Sequence, residues 1–171
     1  MKNNLVLFSI IVLSYTVSNA QSNQSAAKPK PTKSETQSWI SKNIASHPFI
    51  SEDGNIKNEY TTSFDEISII IKNKSTYNGK INNWTTKMVI TDIDSIYWQE
   101  KKFNVWLTIV LKSGKEELVF NNDEKIASDG KTELLLSKSF LENDLPNRMV
   151  KAFNRLVEVY KKENTSKNDT F

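Results

Sequence analysis

Phe103-Asn104-Val105-Trp106-Leu107-Thr108-Ile109-Val110-Leu111 alternates along its whole length. The odd-numbered positions hold Phe, Val, Leu, Ile and Leu; the even-numbered ones hold Asn, Trp, Thr and Val. Successive strand side chains leave on opposite faces, so the stretch predicts a β-strand with one wholly apolar face. Lys112-Ser113-Gly114-Lys115 supplies a turn. Glu116–Phe120 then predicts a returning strand with Leu118 and Phe120 on the apolar side. On this reading Phe103, Leu107 and Ile109 are core residues of a hairpin that the rest of the chain covers or extends.

Downstream, Lys125–Ala127 predicts a short strand, and Ser128-Asp129-Gly130-Lys131 a tight turn into Thr132–Ser137, with Leu134 and Leu136 on one face. Asp144 is a good N-cap, and Pro146 fits a first helical turn whose N–H groups lack partners. Leu145, Met149, Ala152, Phe153, Leu156 and Tyr160 recur at helical spacing and form one apolar stripe, with Phe153 and Leu156 as core residues. Arg148, Lys151, Arg155 and Lys162 lie largely off that stripe and read as a solvated face. Residues 163–171 form a polar tail that is expected to fray.

Upstream, Ile67, Ile69 and Ile71 predict a strand, followed by a polar loop over Asn73–Lys80 that turns at Asn78-Gly79. Thr85–Thr91 and Ser95–Gln99 predict two more strands, with Ile96 and Trp98 together on one face. Ser34-Glu35-Thr36-Gln37 matches a capping box, so a short helix should run to about Ser46 with Ile40 and Ile44 on one face and Trp39 beside them. His47-Pro48 ends it, because a residue before proline is pushed out of the helical region. Phe49–Thr62 reads as irregular, with a turn at Asp53-Gly54-Asn55.

The start of the chain has a different character. Lys2, the apolar run Leu5–Leu13 and the small-residue site Ser18-Asn19-Ala20 make residues 1–20 a secretory signal peptide. Residues 21–33, with Pro29 and Pro31 and no apolar periodicity, read as a disordered linker. Ser25-Ala26-Ala27-Lys28 matches a Ser-x-x-Lys pattern but lies in this linker without supporting elements. The domain expected is 34–162, followed by the tail. An exported, periplasmic or secreted location follows, with no transmembrane span after cleavage. The chain has no cysteine. It therefore has no disulfide, no thiolate nucleophile and no lipoprotein attachment site, and its stability must come from an ordinary core.

The formal charge of +3 on 171 residues gives no nucleic-acid footprint. A single histidine, His47, rules out a multi-His metal site, and its place at a helix end suits the helix dipole. Asp92 and Asp94 would share a strand face, and Asn121-Asn122-Asp123-Glu124 offers oxygen ligands, but both read as polar turns. Four glycines and no phosphate-binding loop leave no cofactor motif. No catalytic, cofactor-binding or metal-binding residues are therefore assigned.

Aromatic residues are the stronger lead. Trp106 leaves its strand opposite the apolar face, with Val110, so it should lie outside the core. Trp106, Val110 and Tyr97 form the candidate binding surface, but the helix carrying Trp39, Ile40 and Ile44 is expected to cover Trp106, which would place any binding surface elsewhere.

About seven short antiparallel strands followed by an amphipathic C-terminal helix resemble the pleckstrin-homology-like (PH-like) fold. In that α+β fold a bent sheet forms a partly open barrel plugged by the helix. The signal peptide, Thr36-Gln37-Ser38-Trp39-Ile40 and Lys151-Ala152-Phe153-Asn154-Arg155-Leu156 also resemble small exported Bacteroidota proteins of unknown function. Phosphoinositide-binding members of the PH-like class carry a basic first hairpin ending in Lys/Arg-x-Arg. Lys72, Lys74, Lys80 and Lys87 lie nearby here without an arginine. A helix-grip or lipocalin-like barrel is the alternative fold. The leading functional expectation is a non-catalytic exported module that binds an envelope protein or peptide. The rivals are a small-ligand or lipid carrier that uses the barrel interior, and an enzyme of unrecognised type.

Overall fold

A computed structural model describes residues 30–168. Residues 1–20, expected to be a signal peptide, residues 21–29 of the expected linker and residues 169–171 lie outside the described residues. The compact unit begins at Pro31.

Helix α1 spans Lys33–Ala45. Its N-cap is Thr32, upstream of Ser34. Thr32 Oγ1 accepts from the Glu35 N–H at 3.2 Å, and the Glu35 carboxylate accepts from the Thr32 N–H at 2.7 Å. Two overlapping capping boxes were available here. The one with a carboxylate at its third position also complements the positive end of the helix, and it sets the start.

Nine strands follow among the described residues: β1 Phe49–Ile50, β2 Ile56–Phe64, β3 Ser68–Tyr77, β4 Lys80–Val89, β5 Ile93–Glu100, β6 Val105–Leu111, β7 Leu118–Asn121, β8 Glu124–Ile126 and β9 Lys131–Leu136. They form two antiparallel sheets. The large sheet runs β1-β2-β3-β4-β7-β8 and the small one β5-β6-β9. A 3₁₀ turn at Ile90–Asp92 carries the chain from one sheet to the other. Helix α2, Leu145–Asn168, closes the order. No helix among the described residues is long and apolar enough to cross a membrane.

Strand β6 is the centre of the small sheet, and Val105, Leu107, Ile109 and Leu111 are buried on its inner side. They meet Leu134 and Leu136 of β9, Ile96 of β5, Ile40 and Ile44 of α1, and Met149, Phe153, Leu156 and Tyr160 of α2 in one core. Burying each such side chain contributes roughly 1.5–3 kcal/mol relative to leaving it in water.

Phe103 is not in that core. It is 53% exposed, because Lys101 N–H bonds Asn104 C=O at 2.9 Å and closes the β5–β6 turn around it. The alternation of apolar residues extends into the turn, but the strand starts only at Val105.

The hairpin expected after β6 does not form. The chain does turn at Ser113-Gly114, with Gly114 at φ 75°, a left-handed value that glycine adopts without strain. It then crosses to the large sheet, where β7 pairs with β4 from Lys87↔Leu118 to Trp84↔Asn121. The partners of β6 are β5 and β9. The new partner also inverts the faces: Leu118 is exposed, whereas Glu117 is 4% exposed on the inner side with Val119. Leu118 stands opposite Lys87 on the outer face, and because sheet side chains alternate, the rest of the segment is reversed with it relative to the expected hairpin.

Strand β2 occupies a stretch expected to be irregular. Its buried positions are Asn58 and Tyr60, so its inner face lacks an aliphatic signature. Strand β3 likewise continues through the predicted polar loop to Tyr77, and the Asn78-Gly79 turn leads directly into β4, both residues at positive φ.

Helix α2 stays helical to Asn168, beyond the Lys162 at which its apolar stripe ends. Lys33 of α1 pairs with Glu163 at 2.6 Å and lies 3.7 Å from the centre of the Tyr160 ring. Asp144, expected as the N-cap, sits at φ 56°, and its carboxylate accepts from Asn147 Nδ2.

Candidate binding site

The two sheets are joined along one side. Pro48 bridges Leu136, Ser137 N–H bonds His47 C=O at 3.2 Å, and Leu135 N–H donates to the Tyr60 hydroxyl at 2.8 Å. Farther along β9, toward Lys131, the neighbour of β4 is β7, and a cavity of about 190 Å³ lies there. Tyr60, Ile71, Asn73, Trp84, Glu117 and Leu134 are among its lining residues. It is smaller than the roughly 300–1,000 Å³ of drug-sized sites.

The large sheet places these side chains by register. Tyr60 is opposite Asn73, and Asn73 is opposite Trp84, so one row crosses three strands on the inner face. In the next row Ile71 faces Thr86, which faces Val119. Burial pushes the Tyr60 phenol up to about 12. Asn73 Nδ2 donates to Asn58 Oδ1 at 3.2 Å, and Asn73 Oδ1 is buried without a partner. Glu117 Oε2 is likewise buried without a partner. Lys131 and Glu133 also line the cavity; on the Leu135 side of β9 the Lys131 ammonium is taken by Glu133 at 2.6 Å, which raises the lysine's pKa.

Outside the small sheet, Tyr97, Trp106 and Val110 share one face with Leu135. The register opposes Tyr97 to Thr108 and Trp106 to both Gln99 and Leu135. Tyr97 is 47% exposed, and Trp106, Val110 and Leu135 are half-buried. Lys101 Nζ lies 5.9 Å from the centre of the Trp106 ring.

The N-terminal helix does not cover this face. Its Ile40 and Ile44 enter the core that Val105, Leu107 and Ile109 also enter, on the side of β6 opposite Trp106. Helix α1 packs on β2 and α2. There, Arg148 stacks over Trp39, and Gln37 Nε2 donates to the Tyr160 hydroxyl at 2.8 Å.

The remaining sequence candidates take structural positions. His47 Nδ1 is 2.6 Å from the Asn43 carbonyl oxygen and its ring meets Phe140 edge-on, so it fastens the end of α1 to the core. Asp92 lies in the 3₁₀ turn, 3.6 Å from Lys115, and Asp94 is exposed where the β5 register shifts, so the two do not form a strand-face pair. Asn122 and Asp123 form the β7–β8 turn with both residues at positive φ. Among the described residues no three His, Asp or Glu side chains come together in a metal-binding group. Leu107, Ile109, Phe153 and Leu156 are fully buried.

No family model, curated protein or solved structure matches the chain.

Proposed function

We propose that the chain is an exported, non-catalytic binding module with PH-like architecture that engages an envelope protein or peptide through the outer face of its small sheet. The order of two antiparallel sheets and then an amphipathic helix supports the fold reading. The binding reading is carried by one observation: Tyr97, Trp106, Val110 and Leu135 come from three adjacent strands onto one face that α1 leaves uncovered. Exposed apolar residues elsewhere, such as Ile50, Ile67 and Ile81, lack this cross-strand grouping. A Trp on the central strand of such a face is the residue type on which binding energy concentrates. The test is capture from envelope extract with wild-type and Trp106→Ala baits, quantified by mass spectrometry. Ile81→Ala serves as the control. A partner retained by wild type and Ile81→Ala but reduced at least tenfold by Trp106→Ala is expected. Equal recovery by all three baits refutes the assignment of this face.

A second reading, a site for a small ligand, is favoured by a separate observation: the cavity against Glu117.

A further inference from the structure

We infer that the cavity between β9 and the large sheet binds a primary ammonium group on a short apolar stem, with Glu117 as its counter-ion. This rests on the small-ligand reading of the cavity. A carboxylate that is 4% exposed with Oε2 lacking any donor is costly to maintain, because charge is removed from water without compensation. Among the described residues no cation pairs with it. Lys131, at the cavity wall, is held by Glu133, and Lys115, two residues away, lies beside Asp92. The charged residues lining the cavity are Glu117, Glu133 and Lys131, and the last two pair with each other on the Leu135 side of β9. Glu117 is therefore the one charged lining residue with no charged partner.

The two lining side-chain atoms that are fully buried without partners, Glu117 Oε2 and Asn73 Oδ1, are both acceptors in the charged carboxylate and amide forms. They call for a ligand that brings N–H donors and positive charge together. Trp84 adds an aromatic wall of the kind that attracts cations. Ile71, Val119 and Leu134 suit a hydrocarbon stem. A divalent metal fits poorly, since the described residues supply no group of three ligating side chains. The volume of about 190 Å³ suits a small amine or a single lysine side chain. The ammonium chemistry is the same from either source.

The purified full chain is titrated with n-butylammonium, with n-butanol as the neutral isostere, and with a blocked-terminus pentapeptide of glycine around one lysine. Binding is followed by the Trp84 indole N–H resonance, assigned with Trp84→Phe, and by thermal melting. The expected result is a saturable shift of the Trp84 resonance with an ammonium ligand, at least tenfold weaker for butanol and at least tenfold weaker in Glu117→Gln. Tighter binding of the pentapeptide assigns the ammonium to a peptide side chain; tighter binding of butylammonium assigns it to a free amine. Butanol binding as tightly as butylammonium overturns the ammonium assignment while leaving a small-ligand site. Wild-type affinity in Glu117→Gln also overturns it. Absence of a saturable shift and of a melting shift with any of the three probes overturns both readings, and needs no variant to fold.

Discussion

The Tyr60 hydroxyl accepts the Leu135 N–H at 2.8 Å, and through this bond a residue of the large sheet holds the outer edge of the small one. Its ring also belongs to the core and to the cavity wall. Tyr60→Phe keeps the ring and removes the acceptor, leaving a part-buried N–H without a partner. A loss of about 1–3 kcal/mol is expected. Urea unfolding checks it, and an unchanged midpoint would show that this bond does not hold the sheets together.

Phe153 is fully buried beneath α2, whereas Phe103 stands in the β5–β6 turn. Phe153→Ala should cost about 3–5 kcal/mol through lost transfer energy and a residual cavity. Phe103→Ala should stay within about 0.5 kcal/mol. Parallel denaturation curves of the two variants check the contrast. Comparable losses would return Phe103 to the core.

Much of this fold was legible in the sequence because the helix stripe of Phe153 and Leu156 and the alternation of Val105–Leu111 report directly which side is buried. The Asn78-Gly79, Asp53-Gly54 and Gly130 turns were legible for a local reason, since positive φ favours those residue types. Partner choice was not legible. Ser113-Gly114 signals a change of direction, but nothing local says that β4, far back in the chain, receives the next strand. The burial of Glu117 follows from that distant pairing, so the cavity was missed. An acidic residue flanking an apolar pair, Leu118-Val119, reads most simply as a solvated strand end. Strand β2 was hidden because its inner face uses Asn58 and Tyr60. The Trp106 face was readable from alternation, but its cover was not, since an amphipathic helix does not announce which side of a sheet it will choose.

Asp65 shows how one turn responds to acid. Lys87 lies 2.6 Å from its Oδ2, and the Ile67 and Ser68 N–H groups donate to Oδ1; together they hold the carboxyl down to about 2. A carboxyl depressed on folding favours the native state above its unfolded value near ~3.9, and that contribution is lost as pH falls toward 2. Full conversion would give roughly 2.5 kcal/mol, but the side chain is about a third exposed, and screening reduces this to about 1 kcal/mol. Asp65→Asn should flatten the fall in stability between pH 5 and 2 by about that amount. Identical acid profiles for the variant and the wild type would remove Asp65 from the account.

Glu117 is expected to be held against its own stability cost. Glu117→Leu replaces an unpartnered carboxylate with a side chain suited to Ile71, Val119 and Leu134. It should raise the stability of the ligand-free chain by about 1–2 kcal/mol. Chemical denaturation without added amine measures this. A destabilised variant would mean that Glu117 has a partner in the folded chain.

Both proposals depend on where the chain goes after β6, and two engineered disulfides read this out directly. The chain has no cysteine, so each pair is introduced without background. Thr86 and Val119 are cross-strand partners in the β4–β7 ladder. A hairpin folded about Ser113-Gly114 would instead oppose Ile109 to Leu118. Opposed strand residues bring their Cβ atoms to about 4.5–5.5 Å, close enough for oxidation after a small adjustment. The Thr86→Cys/Val119→Cys variant should form an intramolecular disulfide under mild oxidation, and the Ile109→Cys/Leu118→Cys variant should keep two free thiols. Disulfide formation in the second pair and free thiols in the first would contradict the crossover and with it the burial of Glu117.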